Sequence, residues 1–357
     1  MSSNDKRIRR RARDLDIVNG ILTPGTYNAI TDVAGVKVGH CTVIEGNDIR
    51  TGVTAITPHS RNLYEEKVAA AVDVFNGYGK SVGISQIVNE GNIETPIMLT
   101  ETLNTFKVAD DLIDYFPEKL GYTPRSLNSV VGETNGGFLT NNQNRRIGKA
   151  EVFEGIDDAL NCKGPVAEGA VGAGKPMTGY GFKGGIGTSS RNIGEATVGV
   201  LVQLNCGRKE DLMVLGTPVG REVELPEEPE NSLGNSIMMI VATDVELVSR
   251  HLWKIAKRTM LGLARTGSFS SNRSGDYSIA FSTSKLNRTE FIESVGASHT
   301  GDGFLSPLYK GVVEATEEAV LNALFKAETT QGYQGNIRYG LPLDETIAVL
   351  ERYDLGK

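Results

Sequence analysis

Apolar residues along this chain fall mainly into short runs bounded by glycine, proline or polar turns, a pattern of strands more than of long helices. It predicts strands near Val36–Val38, Gly52–Ile56, Ala69–Phe75, Ser129–Glu133, Ala196–Gln203, Ile237–Thr243 and Tyr277–Ser282. Helical spacing is clearest over Val245–Leu263, where Leu247, Val248, Leu252, Ile255, Ala256 and Met260 form one stripe with basic residues between them. Further helices are predicted over Gly311–Lys326 and Asp344–Tyr353, the second with Asp344 as N-cap after Pro342. Strands followed by strand–helix successions, on both sides of an acidic loop, point to sheets covered by helices in a layered α/β (α+β) domain.

Composition narrows the class. At 357 residues, 39% apolar and 23% charged, the chain has the length and balance of a soluble globular protein. Its 42 glycines exceed the usual share of about 7%. Many lie between Gly164 and Gly187, where the backbone is expected to bend sharply or to approach a neighbour closely. A net charge of −7 argues against nucleic acid as a partner. The one basic run, Lys6 to Arg13, lacks aromatics and reads as a solvated or subunit-contacting helix.

No apolar stretch reaches the ~20 residues of a membrane span, and no signal-peptide pattern follows Met1. Three cysteines, Cys41, Cys162 and Cys206, without metal spacing read as reduced thiols of a cytoplasmic protein. His40, His59, His251 and His299 show no ligand pairing, so neither metal nor cofactor is expected.

Candidate chemistry centres on Ser236. The acidic stretch Glu222–Ser232, with Pro226 and Pro229, reads as exposed and mobile, and it runs into the apolar strand that Ser236 opens. A hydroxyl there can attack the carbonyl of Asn235, cut the backbone, and leave Ser236 with both a nucleophile and an amine of pKa roughly 7.7–8.0 as its general base. A loop followed by a core strand that happens to begin with Ser is the plainer reading, and this segment alone favours it. Three polar clusters at strand ends could converge on Ser236. Glu133 ends an apolar strand and suits a substrate ammonium, or a turn. Asn205 ends another and suits an oxyanion, or a turn. Ser274 and Asp276 alternate onto one side, within reach of the Ser236 amine or hydroxyl, or simply form a hairpin. Spacing decides none of them singly.

Two nucleotide-like patterns fail. Gly179 to Gly184 matches G-x-G-x-x-G, yet a loop precedes it and Gly185-Ile186-Gly187 follows, poor material for a helix. Gly79-Lys80-Ser81 resembles the end of a P-loop, but Val74 stands where its first glycine belongs.

Together the segments Asp32–His40, Thr51–Ile56, Asn76–Lys80, Glu94–Ile97, Glu168–Gly174, Gly181–Arg191, Gly234–Ile237 and Ser274–Asp276 resemble the DmpA and β-aminopeptidase family of self-processing serine aminopeptidases, over nearly the whole chain. The resemblance implies a single domain of α-β-β-α sandwich type, shared in architecture with ornithine acetyltransferases. It implies a cut between Asn235 and Ser236 into associated chains 1–235 (α) and 236–357 (β), and a homo-oligomer, a tetramer of αβ pairs. Substrates would be small peptides, amides or esters with a free N-terminal amine, of α- or β-amino acids. By the same resemblance Ser236 matches the nucleophile, Asn205 the oxyanion donor, Ser274 and Asp276 the pair beside the nucleophile, and Glu133 the carboxylate that grips the amine. Asn135 departs from DmpA, where a tyrosine is expected near the substrate, and its amide is a polar substitute. Alternatives are a related self-cleaving amide-oligomer hydrolase, an acyltransferase, or, outside enzymes, a nucleotide-binding regulator.

Overall fold

The computed structural model describes residues 9–227 and 235–353. In chain order its strands are β1 Lys37–Glu45, β2 Ile49–Thr57, β3 Val68–Gly77, β4 Asn92–Ile93, β5 Ile97–Glu101, β6 Val130–Thr134, β7 Thr178–Gly179, β8 Phe182–Lys183, β9 Gly185–Ile193, β10 Ala196–Asn205, β11 Ser236–Val245, β12 Gly275–Leu286, β13 Thr330–Gln331 and β14 Ile337–Arg338. The helices are α1 Ile84–Glu90, α2 Thr105–Lys119, α3 Lys149–Asn161, α4 Val219–Glu222, α5 Ser249–Ala256, α6 Thr259–Arg265, α7 Arg288–Ser294, α8 Leu305–Lys326 and α9 Leu343–Arg352.

Two sheets stack face to face. One has the order β1-β2-β5-β6, the other β4-β3-β12-β11-β10-β9. Period-2 alternation along β11 explains the layering. Met238, Ile240 and Ala242 point into the interior shared with Ile56, Leu99 and Val130 of the first sheet. Ile237, Met239 and Val241 point the other way, into a core shared with Leu308, Val312 and Val320 of α8. On the far side of the first sheet, Cys41, Val53 and Met98 pack against Val108 and Leu112 of α2 and Val152 and Ile156 of α3. The result is the α-β-β-α sandwich.

The predicted strands are present, with β1 and β2 longer than expected. The single helix predicted over Val245–Leu263 is not. Val245 ends β11, and two helices, α5 and α6, follow. They divide where the Thr259 hydroxyl takes the Ala256 carbonyl at 2.8 Å, and Gly262 lets α6 lie directly on the backbone of α8. The glycine-rich region approaches its neighbours as expected: a Cβ on Gly187 would stand 1.9 Å from the Ala319 carbonyl of α8.

The basic run is a further correction. Residues 6–8 lie outside the described residues, but Arg9, Arg11 and Arg13 fold inward instead of forming a solvated helix. Arg9 donates to Leu324 and Leu341, Arg11 to Asn28, Thr188 and Glu168, and Arg13 to Glu318. Glu318 of α8 also meets the fully buried Arg191 of β9 at 2.7 Å, and Asn28 donates to it. Burial works to raise the Glu318 carboxyl, but Arg13 and Arg191 outweigh it and hold the group below its ordinary pKa. Of the acidic loop, 228–234 lie outside the described residues; Glu224, Pro226 and Glu227 are exposed and Val223 is buried.

Candidate active site

Ser236 is the first residue of β11, and its partner in the antiparallel register is Asn205, the last residue of β10. On the other side β12 runs parallel, with Asp276 beside Ile237. Three neighbouring strands therefore present Asn205, Ser236 and Asp276 at the same sheet end, although 30 or more residues separate them in sequence. The second sheet completes the cluster. A Cβ on Gly132 would stand 2.5 Å from Met238, so glycine lets β6 close onto β11 and carry Glu133 toward the Ser236 end.

Each side chain is held by named partners. Asn205 is buried and its amide cannot flip. Oδ1 accepts from the Thr178 N–H at 2.8 Å, and Nδ2 donates to the Asn135 carbonyl at 3.0 Å. One N–H of Nδ2 remains for another acceptor. The Gly275 N–H donates to Ser236 Oγ at 3.1 Å. Ser274 Oγ donates to Asp276 Oδ1 at 2.5 Å, and Asn76 Nδ2 donates to Oδ2 at 3.0 Å. Burial raises the Asp276 carboxyl, and these bonds pull it back in part. In the continuous chain, then, it is the backbone between Ser274 and Asp276 that reaches the Ser236 hydroxyl. Glu133 is buried, and its Oε1 accepts from the Lys80 N–H at 2.9 Å. Asn135 is exposed; its Oδ1 accepts from the Gly137 N–H at 2.9 Å, a tight local turn.

Sequence reasoning passed over four contributors. Glu101 ends β5 beside β6, where its register partner is Thr134, the residue after Glu133, and it carried the same signal of an acid after an apolar run. Burial first, and then the charge of Glu133, push its carboxyl up to about 8. Thr178 and Gly275 act through backbone N–H groups, which no residue type announces. Lys183, wholly buried, lies in the hairpin β7–β8. That hairpin is the G-x-G-x-x-G segment, and the strand β9 follows it, so the dinucleotide-binding arrangement is absent there. Among the described residues no group of three or more His, Cys, Asp or Glu could hold a metal ion, and no helix is long and apolar enough to cross a membrane.

Comparison with known proteins gives the family to which this fold belongs. The model of peptidase family S58 matches residues 28–338. The chain belongs to peptidase family S58. It is 37% identical to the beta-peptidyl aminopeptidase BapA of Sphingosinicella xenopeptidilytica, over 96% of this chain and 91% of that protein. The structure of a Burkholderia sp. beta-aminopeptidase superposes with a TM-score of 0.85 at 37% identity, covering 96% of this chain and 99% of the other. The L-aminopeptidase D-Ala-esterase/amidase of Ochrobactrum anthropi, described as a prototype of the serine aminopeptidases and a variant of the Ntn hydrolase fold, superposes with a TM-score of 0.86. Its identity is 32%, with 97% of this chain and 99% of that one covered. This family member is an enzyme, an N-terminal-nucleophile peptidase with the expected sandwich fold.

Proposed function

We propose that the protein is a self-processing serine aminopeptidase whose nucleophile is Ser236. The supporting observation is the register that sets Ser236 against Asn205, with the Gly275 N–H on Oγ and Glu133 at the facing sheet end. Processing comes first. Ser236 Oγ adds to the carbonyl carbon of Asn235, the C–N bond breaks, and the nitrogen takes the proton. Water then hydrolyses the resulting ester, leaving a carboxylate on Asn235 and a free amine on Ser236. The two chains, 1–235 and 236–357, stay together through the β10–β11 ladder and the buried cluster in which Arg13 and Arg191 of the first meet Glu318 of the second.

Turnover reuses the same groups. A substrate's terminal ammonium sits on Glu133, one of whose oxygens is already engaged by Lys80 N–H. Its scissile carbonyl oxygen faces the remaining Nδ2–H of Asn205, whose hydrogen bond strengthens as negative charge develops on that oxygen. Ser236 Oγ attacks and its proton passes to the Ser236 amine, whose ordinary pKa of roughly 7.7–8.0 suits a base near neutrality. The amine returns that proton to the leaving nitrogen as the amide bond breaks. Water repeats the sequence on the acyl-enzyme and frees the amino acid. Ser274 and Asp276 stand beside the Ser236 amine as its hydrogen-bond partners. The names of the relatives support amino acids with either α- or β-amine placement as the acyl group.

The test is Ser236→Ala. Wild type should run as two fragments on a denaturing gel and release amine from a panel of α- and β-alanyl amides; the variant should remain one full-length band and release none. A variant that is cut, or that still hydrolyses the amides, refutes the assignment.

A further inference from the structure

We propose that Lys183 is a positioning residue for this reaction: its buried ammonium fixes the backbone turn whose N–H orients the Asn205 amide. The inference rests on Asn205 being the oxyanion donor. Lys183 is fully buried, and among the described residues no carboxylate lies within hydrogen-bonding distance of it. Its Nζ instead donates to three backbone carbonyls, those of Gly184 at 2.7 Å, Met177 at 2.8 Å and Gly174 at 3.0 Å. An ammonium has three N–H donors and no acceptor, so the three carbonyls satisfy it completely. Desolvation pulls its pKa down, with Lys175 adding to the pull. The carbonyl cage opposes both, because only the charged form offers three donors at once.

The turn it closes is the one that matters. Met177, whose carbonyl Lys183 holds, is directly followed by Thr178, whose N–H donates to Asn205 Oδ1. Thr178 and Lys183 are also paired across β7 and β8. On the other side, the Thr134 hydroxyl donates to the Met177 sulfur at 2.8 Å, and a Cβ on Gly136 would stand 2.5 Å from Pro176. The turn is thus wedged against residues 134–136, the same segment whose Asn135 carbonyl receives Asn205 Nδ2. Both fixed ends of the Asn205 amide depend on a glycine-rich loop that has few side chains of its own to hold it. The ammonium of Lys183 supplies the missing contacts from inside.

The experiment is a double-mutant cycle between Lys183 and Asn205, read as kcat and KM for amide hydrolysis by the processed protein. Asn205→Ala should lower kcat by about 10²–10³-fold. Lys183→Met, which keeps length and removes the donors, should lower kcat by about 10²-fold, the order expected for a misplaced catalytic group, with KM little changed. The double variant should be no slower than Asn205→Ala alone, since Lys183 has then nothing left to orient. If Lys183→Met does not fold, Lys183→Gln, which retains two donors, takes its place in the cycle with an intermediate loss of kcat. Losses that multiply in the double variant, or an unchanged kcat in both Lys183 variants, overturn the proposal. Full activity in Asn205→Ala instead overturns the reading of the site itself, so the two failures are separable.

Discussion

Replacing Glu101 by Gln should remove a penalty that the wild-type protein pays as pH rises, and the size of that penalty follows from where the carboxyl sits. Glu101 is fully buried at the end of β5. Its Oε2 accepts two long bonds, from Leu103 N–H at 3.3 Å and Asn104 Nδ2 at 3.4 Å; among the described residues Oε1 has no hydrogen bond of ordinary geometry, and the nearby Asn142 side chain and Gly136 N–H offset the burial only in part. Burial, with the neighbouring Glu133 carboxylate, raises its pKa from 4.5 to about 8. A carboxyl raised in the fold stays protonated after its unfolded counterpart has ionised. Below about pH 4.5 both states hold the proton and nothing is lost. Between there and about pH 8 the unfolded state alone releases it, so stability falls by up to about 1.4 kcal/mol per pH unit. Above that, both are ionised and the slope ends. Gln keeps the shape and cannot titrate, so its advantage over Glu should widen by roughly 2–3 kcal/mol between about pH 5 and pH 7. The assay is equilibrium urea unfolding at several pH values, in the Ser236→Ala background, where the chain is expected to stay in one piece. A gap that is constant with pH, or that narrows as pH rises, would show that Glu101 is already ionised in the fold.

Two further substitutions test the packing and the amine site. Glu318→Gln leaves the fully buried Arg191 and the half-buried Arg13 without their shared carboxylate, and should destabilise the protein by about 3–5 kcal/mol, measured as a drop in the urea midpoint. A loss below about 1 kcal/mol would mean the cluster contributes little to cohesion. Gly79→Ala places a Cβ 2.9 Å from the Tyr277 ring and 3.2 Å from Glu133 Oε1, so it should raise KM for free-amine substrates about tenfold, equivalent to about 1.4 kcal/mol, with a smaller change in kcat. An unaltered KM would remove Glu133 from the amine site.

The parts of the fold that sequence revealed are those whose hydrophobic pattern is local. β10 and β11 are continuous apolar runs because both of their faces are covered, one by the other sheet and one by α8. β9 escaped detection because its second half, Thr188 to Arg191, is polar yet buried. Asn28 and Asp32 receive Ser189 and Ser190, and Glu318 receives Arg191, so these side chains are satisfied by segments far away in the chain. α2 did carry a stripe, Val108, Leu112, Tyr115 and Phe116, and α3 a glutamate reaching back from Glu151 to the Gly148 N–H; both signals were present and were passed over. The split between α5 and α6 left no mark, since one stripe of apolar residues runs through the break.

The site divides along the same line, and the division has a physical cause. Ser236, Asn205, Glu133 and Asp276 each stand at or beside a strand end, and a strand end after an apolar run can be read from the chain. What cannot be read is which ends meet. That depends on strand register, and a slip of one residue between β10 and β11 would send Asn205 to the opposite face from Ser236. The register is fixed by burial: it is the pairing that keeps Leu204 and Ile237, and Val202 and Met239, on the α8 side together. The hydrophobic core therefore sets which of these side chains meet. The groups that would finish the proposed site, the Thr178 and Gly275 amides and the Lys183 ammonium, make their hydrogen bonds from backbone or to backbone, so the residue types at those positions do not predict them.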